Sequence, residues 1–341
     1  MIREAISKLI DRKNLTEKET IEVFTEIMEG KATDAQIASF LTALRMKGEA
    51  IDEITGAVRV MREKATKISP KADMIVDTCG TGGDGACTFN ISTAAAFIAA
   101  GAGVHVAKHG NKSVSSKCGS ADVLSAVGIN LNVAPEVVSD CVERANIGFL
   151  FAPQFHAAMK YAIGPRREIG ARTIFNIIGP LTNPAGALAQ VVGVYDPNLT
   201  EPLAKVLSNL GTKRAFVVHG FPLDEISTIG PTKITEVQGR KINTYTMYPG
   251  DFGMKTAGMS DIAGGTAEEN AVILTEILNN KVKGPMYDIA VLNAAAAIAA
   301  AGRAKTIKDA VPIAVDSVER GKAFSALMKL KEITNACADK K

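Results

Sequence analysis

The sequence has few cysteines, and none of them stand close enough together to form a metal-binding or redox pair. Its five cysteines are dispersed and no CxxC motif is present, the positions being Cys79, Cys87, Cys118, Cys141 and Cys337. A structural zinc site or a catalytic dithiol is therefore not expected. Scattered, odd-numbered cysteines suit a reducing compartment, and we expect the protein to be cytoplasmic.

Long apolar runs and a strong charge excess are also missing. The N-terminal stretch MIREAISKLIDRKNL carries charges throughout, unlike the apolar core of a signal peptide. The longest apolar run, IAVLNAAAAIAAAG from Ile289, is too short to span a bilayer and predicts a buried helix. A net charge of +3 is too small to indicate nucleic-acid binding, although it is compatible with an anionic small substrate. We expect neither a membrane nor a nucleic-acid partner.

Residues 1–70 show helix signals only and predict a small N-terminal all-helical domain. Thr16 precedes Glu19, and Thr33 precedes Gln36, each at the spacing of a capping box. Apolar stripes follow the two caps, at Ile21, Phe24, Ile27, Met28, Ile37, Phe40, Leu41 and Leu44. These stripes either pack on the rest of the chain or form a dimer surface, and both interpretations are kept here.

From residue 74 onward, short β-branched runs alternate with helical patterns, which is typical of an α/β domain with a mainly parallel central sheet. The runs are MIVDT, GVHVAKH, GFLFAP, AQVVGVY and RAFVVHG. The later segment KITEVQGRKINTYTMY predicts an antiparallel excursion around Gly239. We predict that the α/β domain covers residues 74–341, and that part of the helix-and-loop stretch 155–187 joins the helical domain.

A glycine-rich loop, DTCGTGGDGACTFNIS, lies between the first strand and an alanine-rich helix. Gly80, Gly82 and Gly85 satisfy the G-x-G-x-x-G pattern, but a dinucleotide site also needs an acidic residue after the next strand. That strand ends instead in Lys108 and His109, which argues against NAD. A Walker P-loop is excluded because no glycine run leads into Lys-Ser or Lys-Thr. The loop therefore predicts a phosphate cradle of another kind.

Other side chains near this loop extend the predicted anion site. Asn90, Ser92 and Thr93 stand at the start of the following helix, where Ser92 or Thr93 could equally be an ordinary N-cap. Asp84 suits a metal or a sugar hydroxyl better than a phosphate. The stretch SVSSKCGSAD contains Lys117 and leads into a helix near Ser120. Two such helix starts, with Lys108 between them, suit a ligand with separated phosphates, the alternative being two ordinary loops.

Several longer motifs occur in one order between about residues 77 and 230, namely GTGGD, NIST, KHGN, SSKCGSAD, FAPQFHAAMK, GPRREIGARTIFNIIGPLTNPA and DEIS. With the helical first 70 residues, they resemble the anthranilate phosphoribosyltransferase family. The resemblance implies a fold of the nucleoside phosphorylase/phosphoribosyltransferase type and a step of tryptophan biosynthesis. In that step, 5-phosphoribosyl 1-diphosphate and anthranilate give N-(5-phosphoribosyl)anthranilate and diphosphate. It also implies Mg²⁺ as cofactor and a homodimer through the N-terminal helices.

The resemblance also implies site residues. Those for phosphoribosyl diphosphate are Gly80, Gly82, Gly83, Asp84, Thr88, Asn90, Ser92, Thr93, Lys108 and Ser120. Those for anthranilate are Gly80, Asn111, His156, Met159, Arg166 and Pro180. The resemblance favours Arg166 as the partner of the anthranilate carboxylate, a group that suits a planar guanidinium. The alternative is that Arg166 and Arg167 are two surface arginines, one of them paired with Glu168.

The implied metal residues are Ser92, Asp224 and Glu225. Two neighbouring carboxylates usually mark a solvated turn, but this pair follows the predicted strand RAFVVHG, and Mg²⁺ prefers hard oxygen ligands. His156 is assigned to contact with anthranilate rather than to proton transfer. No general acid or base is assigned, since the aromatic amine of anthranilate is unprotonated near neutral pH.

Two alternatives remain beside this hypothesis. A pyrimidine nucleoside phosphorylase shares the architecture and a Lys-His loop, although KHGN and RTIFN speak against it. A non-catalytic relative that binds nucleic acid through a basic face is compatible with the mild positive charge. The two phosphate-binding loops, Arg166 and the Asp224–Glu225 pair favour the enzyme.

Overall fold

The computed structural model describes residues 1–113 and 118–336, so that Lys117 and Cys337 lie outside the described residues. The strands are β1 (Ile75–Gly80), β2 (His105–Gly110), β3 (Ile147–Phe151), β4 (Ala189–Gly193), β5 (Arg214–Gly220), β6 (Thr232–Gln238) and β7 (Lys241–Met247). The helices before β3 are α1 (Ile2–Ile10), α2 (Glu17–Met28), α3 (Asp34–Lys47), α4 (Ile51–Lys64), α5 (Ile91–Gly101), α6 (Ser120–Ala126) and α7 (Pro135–Ala145). Those after β3 are α8 (Ala152–Phe155), α9 (Lys160–Ile169), α10 (Ile174–Ile178), α11 (Thr200–Asn209), α12 (Ala267–Leu278), α13 (Pro285–Ala300), α14 (Ile307–Glu319) and α15 (Lys322–Ala336).

The N-terminal helices begin and end where the sequence predicts. Both capping boxes form, with the Thr16 hydroxyl accepting from the Glu19 amide and the Thr33 hydroxyl from the Gln36 amide. Gly48 follows α3 with a φ of 90°, a conformation in which glycine is favoured. These local signals place the four helices so that their apolar faces meet one another.

The apolar stripes of α2 and α3 lie inside the chain. Apart from the half-buried Ile21, all of the predicted stripe residues are buried, at 2% exposure or less. The interpretation that the stripes pack on the rest of the chain is thus confirmed. The stripes themselves are not available as a dimer surface, because their side chains are already covered within the protomer. Ile10 at the end of α1 and Met46 on α3 are exposed, and they border a groove between these two helices.

The sheet has the order β3-β2-β1-β4-β5-β6-β7. Neighbouring strands from β3 to β5 are parallel, whereas β5–β6 and β6–β7 are antiparallel. The predicted strands and the hairpin at Gly239 are therefore confirmed, as is the α/β fold class. β1 pairs with β2 on one side and with β4 on the other. Successive strands are therefore added to one side of β1 up to β3 and to its other side from β4 onward. Ligands of open α/β sheets bind at this kind of position, beyond the carboxyl ends of the strands.

Two alanine-rich helices lie in the middle of the α/β part. Nearly every residue of α5 and α13 is buried, and the two helices pack against each other. Small side chains allow such helices to approach closely without leaving cavities. Among residues 1–113 and 118–336, no helix is both long and apolar enough to cross a membrane.

After β3, residues 152–187 leave the sheet and form what we call the helical arm. Within it, α9 packs on α2 and α3, while α10 packs on α3 and α4. The ring centroids of Phe24 and Phe175 are 5.7 Å apart, and Arg62 Nε donates to the Leu181 carbonyl at 2.7 Å. The arm therefore shares a hydrophobic core with the N-terminal helices while both of its ends remain attached to the sheet.

Candidate functional site

Most of the residues implicated by the sequence lie at the carboxyl edge of the sheet. The glycine loop, defined here as residues 81–90, leads from the end of β1 to the start of α5. Thr88 in this loop forms a backbone bridge with Ala263, which holds the loop against a segment before α12. The acidic turn, defined as residues 221–227, follows β5 and passes over the ends of the neighbouring strands.

Three adjacent strands end in glycine because the acidic turn lies directly on them. These residues are Gly80 on β1, Gly193 on β4 and Gly220 on β5. A Cβ atom on Gly80 would lie 2.5 Å from Asp224 Oδ2, and one on Gly193 would overlap the Asp224 backbone. Any larger residue at these strand ends would push the carboxylate-bearing turn away from the sheet.

Asp224 bonds to the glycine loop. Its Oδ2 accepts a hydrogen bond from the Gly82 amide at 2.8 Å, and its own amide donates to Asp84 Oδ2 at 3.4 Å. Burial, followed by the charge of Asp84, raises the pKa of Asp224 to about 7. The Gly82 amide thus bonds to a carboxylate in this structure, whereas the sequence predicted an amide directed at a phosphate.

Glu225 and Lys108 bring opposite charges to the same edge. Burial, and then Asp224, raises the pKa of Glu225 well above its ordinary value, and Lys108 opposes this shift. Lys108 Nζ donates to the Thr78 carbonyl and, at 3.2 Å, to Ser92 Oγ. Burial lowers the pKa of Lys108, while Asp77 acts in the opposite direction. The site therefore joins a buried cation to a carboxylate-rich turn.

An Asp–Asn pair holds β1 and β2 apart just before the site. Within the described part of the chain, β1 pairs with β2 at Ile75 and Val76. Beyond this pairing, Asn183 Nδ2 donates at 2.7 Å to both Asp77 Oδ2 and the Ala107 carbonyl. The amide of His109 donates to the other oxygen of Asp77 at 3.0 Å. This fully buried network replaces backbone pairing at the strand ends, where Lys108 crosses towards β1.

At the start of α5, the structure decides between the N-cap candidates. Asn90, rather than Ser92 or Thr93, occupies the N-cap position, and its side chain makes no capping bond. Asn90 Nδ2 donates to the Cys118 carbonyl at 3.2 Å, and its Oδ1 accepts from Asn270 at 3.0 Å. Thr93 Oγ1 is buried without a hydrogen-bond partner among the described residues. The idea of an ordinary N-cap at Ser92 or Thr93 was therefore wrong.

The second predicted loop is described in part, because residues 114–117 lie outside the described residues. The predicted helix start is confirmed, since α6 begins at Ser120. The Asn111 carbonyl accepts from Ser120 Oγ at 3.4 Å and from the Ala121 amide at 3.2 Å. Asp122 Oδ2 accepts from the amides of Ser113 and Gly119 at 3.0 and 2.9 Å. Asn111 and Ser120 are thereby brought together at the end of β2.

The arm brings a histidine and a proline to the sheet edge. The rings of His109 and His156 lie 5.0 Å apart, and both Nε2 atoms are buried without a partner among the described residues. Burial lowers the pKa of His156 to about 4, and burial with the proximity of His156 lowers that of His109 to about 3. The Pro180 carbonyl accepts from Gln190 Nε2 at 3.0 Å. His156 is thus a neutral ring beside β2, and Pro180 stands beside β4.

Arg166 and Met159 lie further out along the arm. The Arg166 guanidinium lies 4.9 Å from the centroid of the Phe175 ring, and burial lowers its pKa. Met159 is half-buried in the core shared with the N-terminal helices. Arg166 contacts Phe175 of α10, whereas His156 contacts His109 at the end of β2, so the arm carries these two residues in different surroundings.

Sequence reasoning missed several residues of this edge. His109, Asp77 and Asn183 were not predicted to take part, and neither was Arg172, which donates to the Gly83 carbonyl. One usable signal was present in the sequence, since β1, β2, β4 and β5 each end at a glycine, which is typical of a close backbone approach. Asn183 lies 106 residues from Asp77 and Gly83 lies 89 residues from Arg172, and no local pattern reveals these two pairs.

The chain matches two family models and several known proteins. The models are described as glycosyl transferase family, helical bundle domain, over residues 3–65, and glycosyl transferase family, a/b domain, over residues 72–324. A curated relative, anthranilate phosphoribosyltransferase of Acetivibrio thermocellus, is 55% identical over 98% of this chain and 97% of its own length.

Solved structures extend this similarity to the whole fold. The crystal structure of anthranilate phosphoribosyltransferase from Thermus thermophilus is 40% identical, has a TM-score of 0.93, and covers 97% of this chain and 99% of its own. The Saccharomyces cerevisiae enzyme in complex with PRPP and Mg is 27% identical, has a TM-score of 0.90, and covers 98% of both chains. The similarity therefore includes the helical part, the sheet and the edge that carries the site.

Proposed function

This chain belongs to the anthranilate phosphoribosyltransferase family, and we propose that its sheet edge transfers the 5-phosphoribosyl group from 5-phosphoribosyl 1-diphosphate to anthranilate. The products are N-(5-phosphoribosyl)anthranilate and diphosphate, in a step of tryptophan biosynthesis. The observation that carries the proposal is the meeting of the glycine loop, Lys108 and the acidic turn at one edge of the sheet. A polyanionic substrate needs positive groups near its phosphates, and the divalent cation bound with it needs carboxylates.

For phosphoribosyl diphosphate, we assign the glycine loop, the start of α5, Lys108 and Ser120. The residues are Gly80, Gly82, Gly83, Asp84, Thr88, Asn90, Ser92, Thr93, Lys108 and Ser120. Support comes from the buried cation of Lys108 beside Ser92 Oγ and from the unpartnered Thr93 hydroxyl. An unpaired buried hydroxyl costs free energy, which a bound ligand would recover. The Gly82 amide becomes available to a phosphate only when Asp224 releases it.

For Mg²⁺, the residues present fit the ion. Asp224 and Glu225 are carboxylates with raised pKa values, so their neighbourhood favours an added positive charge. Among residues 1–113 and 118–336, no three metal-ligating side chains of His, Cys, Asp or Glu form a closed set. Mg²⁺ takes one or two carboxylates together with water and substrate phosphates, and the acidic turn offers two carboxylates. When bound, the ion would neutralise diphosphate charge, held by Asp224, Glu225 and the Ser92 hydroxyl.

For anthranilate, we assign Gly80, Asn111, His156, Met159, Arg166 and Pro180. The neutral ring of His156 stands beside β2, and the Pro180 carbonyl accepts a bond from Gln190 on β4. A charged guanidinium that burial desolvates gains from a carboxylate partner, which supports Arg166. His156 is held in its uncharged form by burial, which agrees with contact rather than general acid catalysis at neutral pH.

The chemistry needs mainly electrostatic and positional help. Displacement at the anomeric carbon places positive charge on the ribose ring and negative charge on the departing diphosphate. Lys108 and the amides of the glycine loop would stabilise that leaving group electrostatically. Residues of the arm would hold the amine of anthranilate in line with the carbon it attacks. No side chain is assigned as general base.

The wider organisation follows from the same proposal. We assign residues 1–70 and part of 155–187 to a helical domain, and residues 74–341 to the α/β domain that binds phosphoribosyl diphosphate. Two copies would associate through α1 and α3, whose groove of about 370 Å³ has Ile10 and Met46 at its border. We further propose a cytoplasmic location, in keeping with a biosynthetic enzyme.

One experiment tests the function directly. Anthranilate fluorescence should fall when the purified protein receives phosphoribosyl diphosphate and Mg²⁺, and should stay constant when either is left out. No fall, together with phosphorolysis of thymidine, would identify a pyrimidine nucleoside phosphorylase instead. Salt-dependent retention on DNA without turnover would identify a nucleic-acid-binding relative.

A further inference from the structure

Arg172 connects the helical arm to the glycine loop. It lies between α9 and α10, and its Nη2 donates a hydrogen bond to the carbonyl oxygen of Gly83, in the middle of the loop. Its guanidinium carbon lies 4.1 Å from the centroid of the Tyr195 ring, within the range of a cation–π contact. The side chain is exposed, so core packing does not explain these two contacts.

Gly83 has a backbone conformation that favours glycine, and it lies close to the guanidinium. Its φ of 80° lies in the left-handed region, where side chains other than glycine are strained. A Cβ atom on Gly83 would also lie 2.9 Å from Arg172 Nη2. The left-handed φ is the reason that glycine is favoured here, and the missing side chain leaves room for the guanidinium beside the loop.

Tyr195 is itself fastened to the first residue of the loop. Its amide donates to Thr81 Oγ1 at 3.1 Å, and the Thr81 amide donates to the Gly193 carbonyl at 2.9 Å. The guanidinium of Arg172 consequently contacts the loop at Gly83 and the residue that anchors the loop at Thr81. The guanidinium thus contacts the loop directly at Gly83 and indirectly, through Tyr195, at Thr81.

The chain that carries Arg172 is attached to a packed helix on each side. Gly170 ends α9 in a left-handed conformation, and α10 begins at Ile174, so that only a short linker carries Arg172. Arg166 on α9 packs over Phe175 on α10, and Phe175 is buried against the N-terminal helices. The helices on either side of Arg172 are therefore packed against each other and against the N-terminal helices.

We propose that Arg172 is a positioning residue that holds the glycine loop in the conformation that binds phosphoribosyl diphosphate, by tying Gly83 and Tyr195 to the arm. The inference rests on the proposed function and deepens it. Arg172 acts through the loop backbone and does not touch the substrate. Its contribution depends on the shape of the guanidinium, which stacks on a ring and donates at its edge at the same time.

Steady-state kinetics with both substrates varied test this proposal. Arg172→Ala should raise the KM for phosphoribosyl diphosphate by about tenfold, the loss expected for one hydrogen bond with a charged donor in a partly exposed place. The KM for anthranilate should change less than twofold. Arg172→Lys should not restore the wild-type KM, because an ammonium group cannot stack and donate in this geometry. Arg240→Ala, on an exposed turn of the β6–β7 hairpin, is the control for loss of one positive charge.

A double-mutant cycle separates positioning from simple attraction of an anion. Tyr195→Leu should reproduce part of the Arg172→Ala effect, and the double variant should be less than additive, since both changes disturb one guanidinium. Equal rises in both KM values, or wild-type behaviour of Arg172→Lys with no effect of Tyr195→Leu, would overturn the proposal. If wild-type protein does not consume anthranilate, the proposed function fails. Active wild type with a silent Arg172→Ala overturns the role of Arg172 alone.

Discussion

Gly193 lies directly beneath the backbone of Asp224. A Cβ atom on Gly193 would lie 2.5 Å from the carbonyl carbon of Asp224 and would overlap its carbonyl oxygen. Gly193 is also the residue paired with Gly80 across β1 and β4, and Gly80 contacts the Asp224 carboxylate from the other side. The position of the acidic turn thus depends on the absence of side chains at Gly80 and Gly193, the last residues of β1 and β4.

The change Gly193→Ala should damage the site more than the fold. The added methyl group must displace the backbone at Asp224, an overpacking that costs about 1–3 kcal/mol of unfolding free energy. Activity should fall at least tenfold, because the displaced Asp224 carboxylate would leave the position in which we propose that it holds Mg²⁺. Urea unfolding followed by far-ultraviolet circular dichroism gives the stability, and the anthranilate assay gives the activity. Gly250→Ala, where no atom lies within 4 Å of the added carbon, should be close to wild type in both.

The change Arg166→Ala should weaken anthranilate binding specifically. Removal of one charge-assisted hydrogen bond to a carboxylate costs roughly 1.5–3 kcal/mol. The KM for anthranilate should therefore rise at least tenfold, while that for phosphoribosyl diphosphate and the melting temperature should change little. Arg167→Ala is the matched control, since Arg167 neighbours Arg166 on α9 and is exposed. A larger effect at Arg167 than at Arg166 would show that the wrong arginine had been chosen.

The sequence predicted more of the fold than of the site's internal contacts. Capping boxes at Thr16 and Thr33 and the strand runs depend on neighbours within a few residues, so local patterns reveal them. The bond from Gly82 to Asp224 joins residues 142 positions apart, and that from Asn183 to Asp77 joins residues 106 apart. Such pairs form only after the strands are placed side by side. Family resemblance supplied the acidic pair but not its present partner at Gly82.

Charged substitutions on α1 and α3 should dissociate the proposed dimer. Ile10 and Met46 are 69% and 70% exposed and lie on the groove between these helices, whereas the stripe residues Phe24 and Phe40 are buried. Ile10→Glu and Met46→Glu should each give monomers in light scattering at micromolar concentration. Val272→Glu, 57% exposed on α12, should leave the assembly unchanged. A wild-type protein that is monomeric in the same measurement would contradict the dimer.

Acidification should destabilise the protein partly through His156. Burial depresses the folded-state pKa of this ring to about 4, against 6.5 for the ordinary group. The contribution of the neutral His156 ring to the free energy of unfolding is therefore complete above pH 6.5. It is lost as the pH falls towards 4, because the unfolded chain binds the proton more readily than the folded one. Between pH 7.5 and pH 5.5, the wild type should lose about 1 kcal/mol more of unfolding free energy than His156→Gln. Equal losses, measured by urea unfolding, would show that this ring does not titrate in that way.

Replacing Asp224 and Glu225 should lower the activity without lowering the thermal stability. The double change Asp224→Asn and Glu225→Gln preserves shape and leaves an oxygen that can accept the bond from the Gly82 amide. It removes two negative charges from a place where burial and mutual repulsion raise their pKa values, so the melting temperature should hold or rise. Activity should fall, and the Mg²⁺ concentration needed for half-maximal rate should increase, because hard oxygen ligands are lost. Asp251→Asn with Asp261→Asn removes equal charge from exposed positions and should leave the Mg²⁺ titration unchanged. If the Asp224/Glu225 variant matches wild type across that titration, these residues do not hold the metal.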